Sequence, residues 1–64
     1  MRIIYKGNPA YQVDDNLNIC RIQYVSIHGL PVGRTVEVDY GDPDLIIDPT
    51  DYEWEGALNE RWET

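Results

Sequence analysis

The stretch Thr35-Val36-Glu37-Val38-Asp39-Tyr40-Gly41-Asp42-Pro43-Asp44-Leu45-Ile46-Ile47-Asp48-Pro49 decides how this chain is read. Val36, Val38 and Tyr40 fall on one side of an extended backbone, and Thr35, Glu37 and Asp39 on the other. A period of two marks a half-buried strand over Thr35–Tyr40. Gly41-Asp42-Pro43-Asp44 then breaks the ladder, because proline has no N–H and aspartate bonds its own backbone in turns. Leu45-Ile46-Ile47 has the length of one more short strand. At Asp48 the period changes. Asp48 is the expected N-cap, with Pro49 at the first helical position, where its missing N–H costs nothing. Asp51 in the first turn complements the helix dipole, and Ile47 and Tyr52 sit at hydrophobic-staple positions. Trp54, Ala57, Leu58, Arg61 and Trp62 recur at three and four residues, which predicts a helix over 49–62. Gly56 costs about 1 kcal/mol relative to alanine in a helix interior, so an extended arm is the alternative.

Upstream, the chain reads as β. Arg2–Lys6 is a short β-favouring run, closed by the turn cluster Gly7-Asn8-Pro9, whose proline bars a continuing central strand. Tyr11-Gln12-Val13 alternates, and Asp14-Asp15-Asn16 supplies turn chemistry. Ile19–His28 is rich in Ile, Val and Tyr. Its alternation is imperfect, because Arg21 and Gln23 share a parity with Ile19, Val25 and Ile27; a bulge or bend near Gln23 restores it. Gly29-Leu30-Pro31-Val32-Gly33 reads as a connection. The expected fold is α+β: a single domain over 1–64, with a small twisted antiparallel sheet of four or five strands in 1–47 and a C-terminal helix in 48–64. The alternative is a small SH3- or OB-like β-barrel with a docked C-terminal arm.

Composition bounds what such a domain can do. Its 64 residues are 42% hydrophobic and 27% charged, a globular ratio. A chain this short buries about 60% of the surface its unfolded form exposes, too little for a deep water-excluding cavity. Without phenylalanine, the two tryptophans and five tyrosines are expected to provide much of the core. A single cysteine, Cys20, forms no internal disulfide, which points to a reducing, cytoplasmic setting. No apolar run approaches the ~20 residues of a membrane span.

Charge is sharply segregated. Residues 1–38 hold Arg2, Lys6, Arg21 and Arg34 against Asp14, Asp15 and Glu37, a net +1. Residues 39–64 hold nine acids against Arg61 alone, a net −8, and the whole chain carries −7. Such a surface repels phosphate backbones and anionic membranes, so neither direct nucleic-acid nor membrane binding is expected.

Catalytic constellations are sparse. His28 is the only histidine, and Ser26 beside it lacks an orienting acid and an oxyanion hole. One cysteine and one histidine are too few ligands for zinc. A calcium loop starting at Asp42 would place Ile47 where glycine is required. Gly29–Gly33 lacks the spacing and lysine of a phosphate loop. No enzyme, cofactor or metal is therefore expected.

What remains is the acidic segment. Asp39, Asp42, Asp44, Asp48, Asp51, Glu53 and Glu55 follow one another at gaps of two to four residues. In extended chain a two-residue gap spans roughly 6.6 Å, comparable to the interval between phosphates on one nucleic-acid strand. Tyr40, Leu45, Ile46, Tyr52 and Trp54 interleave with them, and Tyr52 and Trp54 are the expected aromatic anchors. The plain reading is a solvated face that keeps a small protein soluble. The functional reading is a non-enzymatic inhibitor whose acidic face engages the basic, nucleic-acid-binding surface of a partner protein. In size, acidity and lack of catalytic groups the chain is similar to small phage- or plasmid-encoded inhibitors, DNA mimics among them, a likeness of composition only. The alternative function is a structural or assembly subunit, viral for instance, that joins its partner or a second copy through an open sheet edge such as Thr35–Tyr40.

Overall fold

The computed structural model describes residues 1–26 and 28–62, with the side chains of 60–62 left out. Ile27, and the Arg61 and Trp62 side chains expected on the helix stripe, lie outside what is described.

Lys6 and Gly7 both take left-handed backbone, with φ of 51° and 79°. Two such residues in succession make a turn whose twist matches paired strands. It folds Arg2–Tyr5 (β1) back onto Asn8–Gln12 (β2), with Ile3 opposite Ala10 and Ile4 opposite Pro9. Cys20–Val25 (β3) pairs with the other side of β2, and Pro31–Val38 (β4) with β3. Leu45–Ile47 (β5) returns to pair with β1, and Asp51–Trp62 forms the helix α1. The sheet is antiparallel throughout, in the order β4-β3-β2-β1-β5. Among the described residues nothing pairs β4 with β5, so the sheet is open, with a helix on one face. This is the α+β architecture expected from the sequence rather than the closed barrel.

Several local expectations are corrected. Pro9 stands inside β2, an interior strand. The Gln12 N–H bonds Met1 C=O at 2.9 Å, which makes residues 8, 10 and 12 the ones that bond β1. Pro9 therefore directs its nitrogen toward β3, one position before the first β2–β3 pair at Ala10, where no donor is needed. Pro31-Val32-Gly33 belongs to β4, which runs Pro31–Val38 rather than Thr35–Tyr40. The irregularity does fall between Gln23 and Val25, but the extra residues are on β4. Val32, Gly33 and Arg34 stand opposite Tyr24, with Gly33 at φ 75° and its carbonyl bonded by Gln23 Nε2 at 2.9 Å. Arg21, Gln23 and Val25 keep one parity because the helix covers that face at Val25 and leaves Arg21 to solvent.

The two faces carry separate cores. Toward the helix, Ile4 and Val25 are buried with Trp54 and Ala57, and Tyr11 and Leu58 pack beside them. The Tyr11 and Trp54 rings lie 5.4 Å apart. On the opposite face Ile3, Ala10, Cys20, Ile22 and Val38 are buried, flanked by Tyr5, Tyr24, Val36 and Leu45. Of the aromatics expected to provide much of the core, Trp54 is buried, Tyr5, Tyr11 and Tyr24 pack partly buried against the aliphatic clusters, and Tyr52 is 88% exposed.

No helix covers that second face. Its cover is chain 39–44, which leaves β4 at one edge and must reach β5 at the other. Tyr40 Oη donates to Asn16 C=O at the end where β3 begins. Tyr5 Oη donates to Asp42 Oδ2 at 3.0 Å, and the Lys6 N–H bonds Asp44 C=O at the opposite end. The segment is a strap laid obliquely across the sheet.

The helix starts later than expected. Asp48 is left-handed, at φ 54°, and Thr50 is the N-cap. Thr50 Oγ1 accepts the Glu53 N–H at 3.2 Å while Glu53 Oε1 accepts the Thr50 N–H at 3.0 Å, a reciprocal capping box. The staple positions shift accordingly, from Ile47 and Tyr52 to Pro49 and Trp54, both buried. Thr50→Ala should therefore lower unfolding free energy by about 1 kcal/mol. Trp54→Ala should remove about 3–5 kcal/mol, a large share of the total for a chain this small. Urea unfolding followed by circular dichroism measures both.

Candidate functional site

Each expected contact carboxylate has a definite place. Asp39 and Asp42 shape the strap: Asp39 Oδ1 accepts the Gly41 N–H at 2.8 Å, and Asp42 Oδ1 accepts the Asp44 N–H at 2.9 Å. Glu53 belongs to the capping box. Asp51 forms an ion pair with Arg2 at 3.0 Å, and the Arg2 guanidinium also lies 5.6 Å from the centre of the Trp54 ring. That pair is solvent-exposed, so it contributes little to stability. The side chains of Asp44, Asp48 and Glu55 make no hydrogen bond or ion pair among the described residues.

These carboxylates do not form one face. Asp39, Asp42 and Asp44 lie on the strap, across one side of the sheet. Asp51, Glu53 and Glu55 lie on α1, across the other. Asp48 stands between, where β5 ends. What the fold brings together is the surround of β5, since the strap enters that strand and the helix leaves it. The aromatics also part company: Trp54 is core, Tyr40 is partly exposed and ties the strap through Asn16 and Gln12, and Tyr52 is 88% exposed.

A groove of about 240 Å³ opens beside β5, lined by Ile4, Gly7, Ile46, Tyr52, Glu53, Gly56 and Ala57. Sequence reading missed it, because β1, β5 and α1 meet there only in the fold. Gly56 was the available signal. A Cβ there would meet nothing within 4 Å, so a side chain at this position would have room to enter the groove.

The other groups singled out from sequence have the following contacts. The Ser26 oxygen accepts the His28 and Leu30 N–H groups within its turn. Cys20 is buried, and burial, with the nearby Asp14 charge second, pushes its thiol pKa up and keeps it protonated. Arg21 bonds Asp14 and Glu37, each at 3.1 Å. Among the described residues no three His, Cys, Asp or Glu side chains converge as metal ligands would, and no helix is long and apolar enough to cross a membrane.

Comparison with known proteins adds no relative: no family model, no curated protein and no solved structure matches the chain.

Two groups that anchor the strap have shifted titration, one down and one up. The Asp44 N–H, and then the Tyr5 hydroxyl, hold the Asp42 carboxyl below the usual aspartate range. The same hydrogen bond, then burial and the Asp42 and Asp44 charges, raise Tyr5 above the usual tyrosine value. A depressed acid stabilises the fold above its unfolded pKa and loses that contribution as pH falls through the folded one. A raised tyrosine contributes below its unfolded pKa and loses it as pH climbs past the folded one. Amide protection at Asp42, Asp44 and Leu45 should thus decline in acid and again in strong alkali. Tyr5→Phe should raise the Asp42 pKa and abolish the alkaline limb, read by NMR titration; an unmoved Asp42 would show that the bond does not form in solution.

Proposed function

We propose that this protein is a non-enzymatic, cytoplasmic binding protein that inhibits a nucleic-acid-handling partner by occupying its basic surface. The observation that carries the reading is the distribution of ion pairs. In the first part of the chain Arg21 neutralises Asp14 and Glu37, whereas in the C-terminal part only Asp51 has a cation, Arg2, within ion-pair distance among the described residues. Asp39, Asp42, Asp44, Asp48, Glu53 and Glu55 have no cation within ion-pair distance among the described residues. Concentrating such charge costs self-repulsion, which a basic partner relieves while the field steers encounter. Because Asp44 and Asp48 bracket β5 and Glu53 lines the groove beside it, the contact is a basic cleft that receives an edge rather than a flat patch. The reading involves no cofactor, no nucleic acid bound directly and no membrane.

A second reading, assembly through a sheet edge, is favoured by one observation: among the described residues β4 and β5 are both unpaired on their outer sides. Salt separates the two. A charge-driven complex weakens steeply as ionic strength rises, and edge pairing with apolar burial does not. The side chains of Asp44, Asp48 and Glu55 make no hydrogen bond or ion pair among the described residues. Asp44→Lys/Asp48→Lys/Glu55→Lys should therefore lower thermal stability only by the small cost of lysine at the left-handed Asp48 position. It should also abolish capture of heparin-binding proteins from a lysate at low salt. Equal capture by the reversed protein would remove the acidic-surface reading, and a salt-stable dimer in light scattering would favour assembly.

A further inference from the structure

We propose that β5 and its groove form a strand-addition site for an extended partner segment in which an apolar residue is flanked by lysine or arginine. The inference rests on the acidic-surface reading above and names its mode of contact.

Backbone pairing identifies the open groups. Lys6 N–H bonds Asp44 C=O at 3.2 Å, and Asp48 N–H bonds Arg2 C=O at 3.1 Å. In an antiparallel ladder bonded residues alternate, so Ile46 turns its backbone to β1 while Leu45 and Ile47 turn theirs outward. The Leu45 N–H is taken by Asp42 C=O at 3.1 Å. Leu45 C=O, Ile47 N–H and Ile47 C=O are left without a partner among the described residues. An added strand can bond all of these groups.

The side chains match. Ile46, 39% exposed, faces the groove with Tyr52 above the floor of Ile4 and Ala57, whereas Ile47 shares the opposite face of the sheet with Ile3 and offers only its backbone to an added strand. At about 240 Å³ the groove is smaller than the roughly 300–1,000 Å³ of small-molecule sites, and suits one or two side chains. A strand presents alternate residues to one face, so a residue set against Ile46 enters the groove. Asp44 and Asp48 bracket β5, and Glu53 lines the groove. Residues two positions to either side, about 6.6 Å away, come within reach of these carboxylates. Complementary charge therefore selects a basic segment. It also disfavours a second copy of this chain, which would press Asp44, Asp48 and Glu53 against their own kind.

The opposite edge lacks these features. Thr35 and Glu37 direct their backbones outward there, but Pro31, the irregularity at Val32–Arg34 and two charged side chains protect it.

The test uses the full chain and the synthetic peptide acetyl-Arg-Lys-Val-Leu-Val-Lys-Arg-amide, followed by backbone-amide NMR. The expected shifts centre on Ile46, Ile47, Gly56 and Ala57. Ile47→Pro removes the outward N–H without touching a β1 bond, and Gly56→Leu fills the groove; each should weaken binding about tenfold or more. N-methylating alternate peptide amides should do the same with the protein unaltered, which covers the case of a variant that folds poorly. Shifts confined to 39–44, or affinity indifferent to N-methylation and Gly56→Leu, would overturn the edge site. Equal binding of Arg-Lys-Gly-Ser-Gly-Lys-Arg would do so too, while leaving the acidic surface standing. If neither basic peptide binds, the acidic surface itself fails.

Discussion

The strap 39–44 is the constraint on which the rest depends. β4 and β5 occupy opposite edges of the sheet, so the chain between them has to cross a face. It crosses the face that α1 does not cover, and Ile3, Ala10, Cys20, Ile22 and Val38 are buried beneath it. A helix would leave its terminal groups to be capped on each side of so short a crossing. An irregular strap instead satisfies its backbone with its own aspartates, Asp39 and Asp42, and anchors itself through Tyr5 and Tyr40. The acidity of this segment is therefore partly architectural.

That double use explains how charge and fold coexist in so small a chain. Asp39 and Asp42 each spend one oxygen on a turn, Glu53 spends one on the helix cap, and Asp51 answers Arg2. The side chains of Asp44, Asp48 and Glu55 make no internal bond among the described residues. Asp44 and Asp48 bracket the edge strand and Glu53 lines its groove, where open backbone, exposed isoleucine and negative charge meet. None of these features alone distinguishes a binding site from an ordinary surface. Their coincidence at β5 is the reason to place the partner there.

Legibility in the sequence followed the range of the interaction involved. The alternation of Val36 and Val38 marks which side of β4 is buried because a strand's period is local. Trp54, Ala57 and Leu58 form the helix stripe for the same reason. Capping was misplaced by two residues, since Asp48 and Thr50 are both good caps and only the path of the chain out of β5 chooses between them. Pro9 was misjudged because its tolerance depends on where β3 stops, a fact held by another strand.

The sequence by itself determined a small α+β domain, an acidic C-terminal part and the scarcity of catalytic groups, all properties of composition or of spacing a few residues long. Tertiary structure alone decided that the carboxylates divide between two faces of the sheet, that Trp54 turns inward while Tyr52 turns outward, and that Ile4, Ile46 and Ala57 share a groove. These depend on contacts between residues up to some fifty positions apart, such as Ile4 with Ala57. Strand order and crossover direction, rather than local preference, bring such residues together.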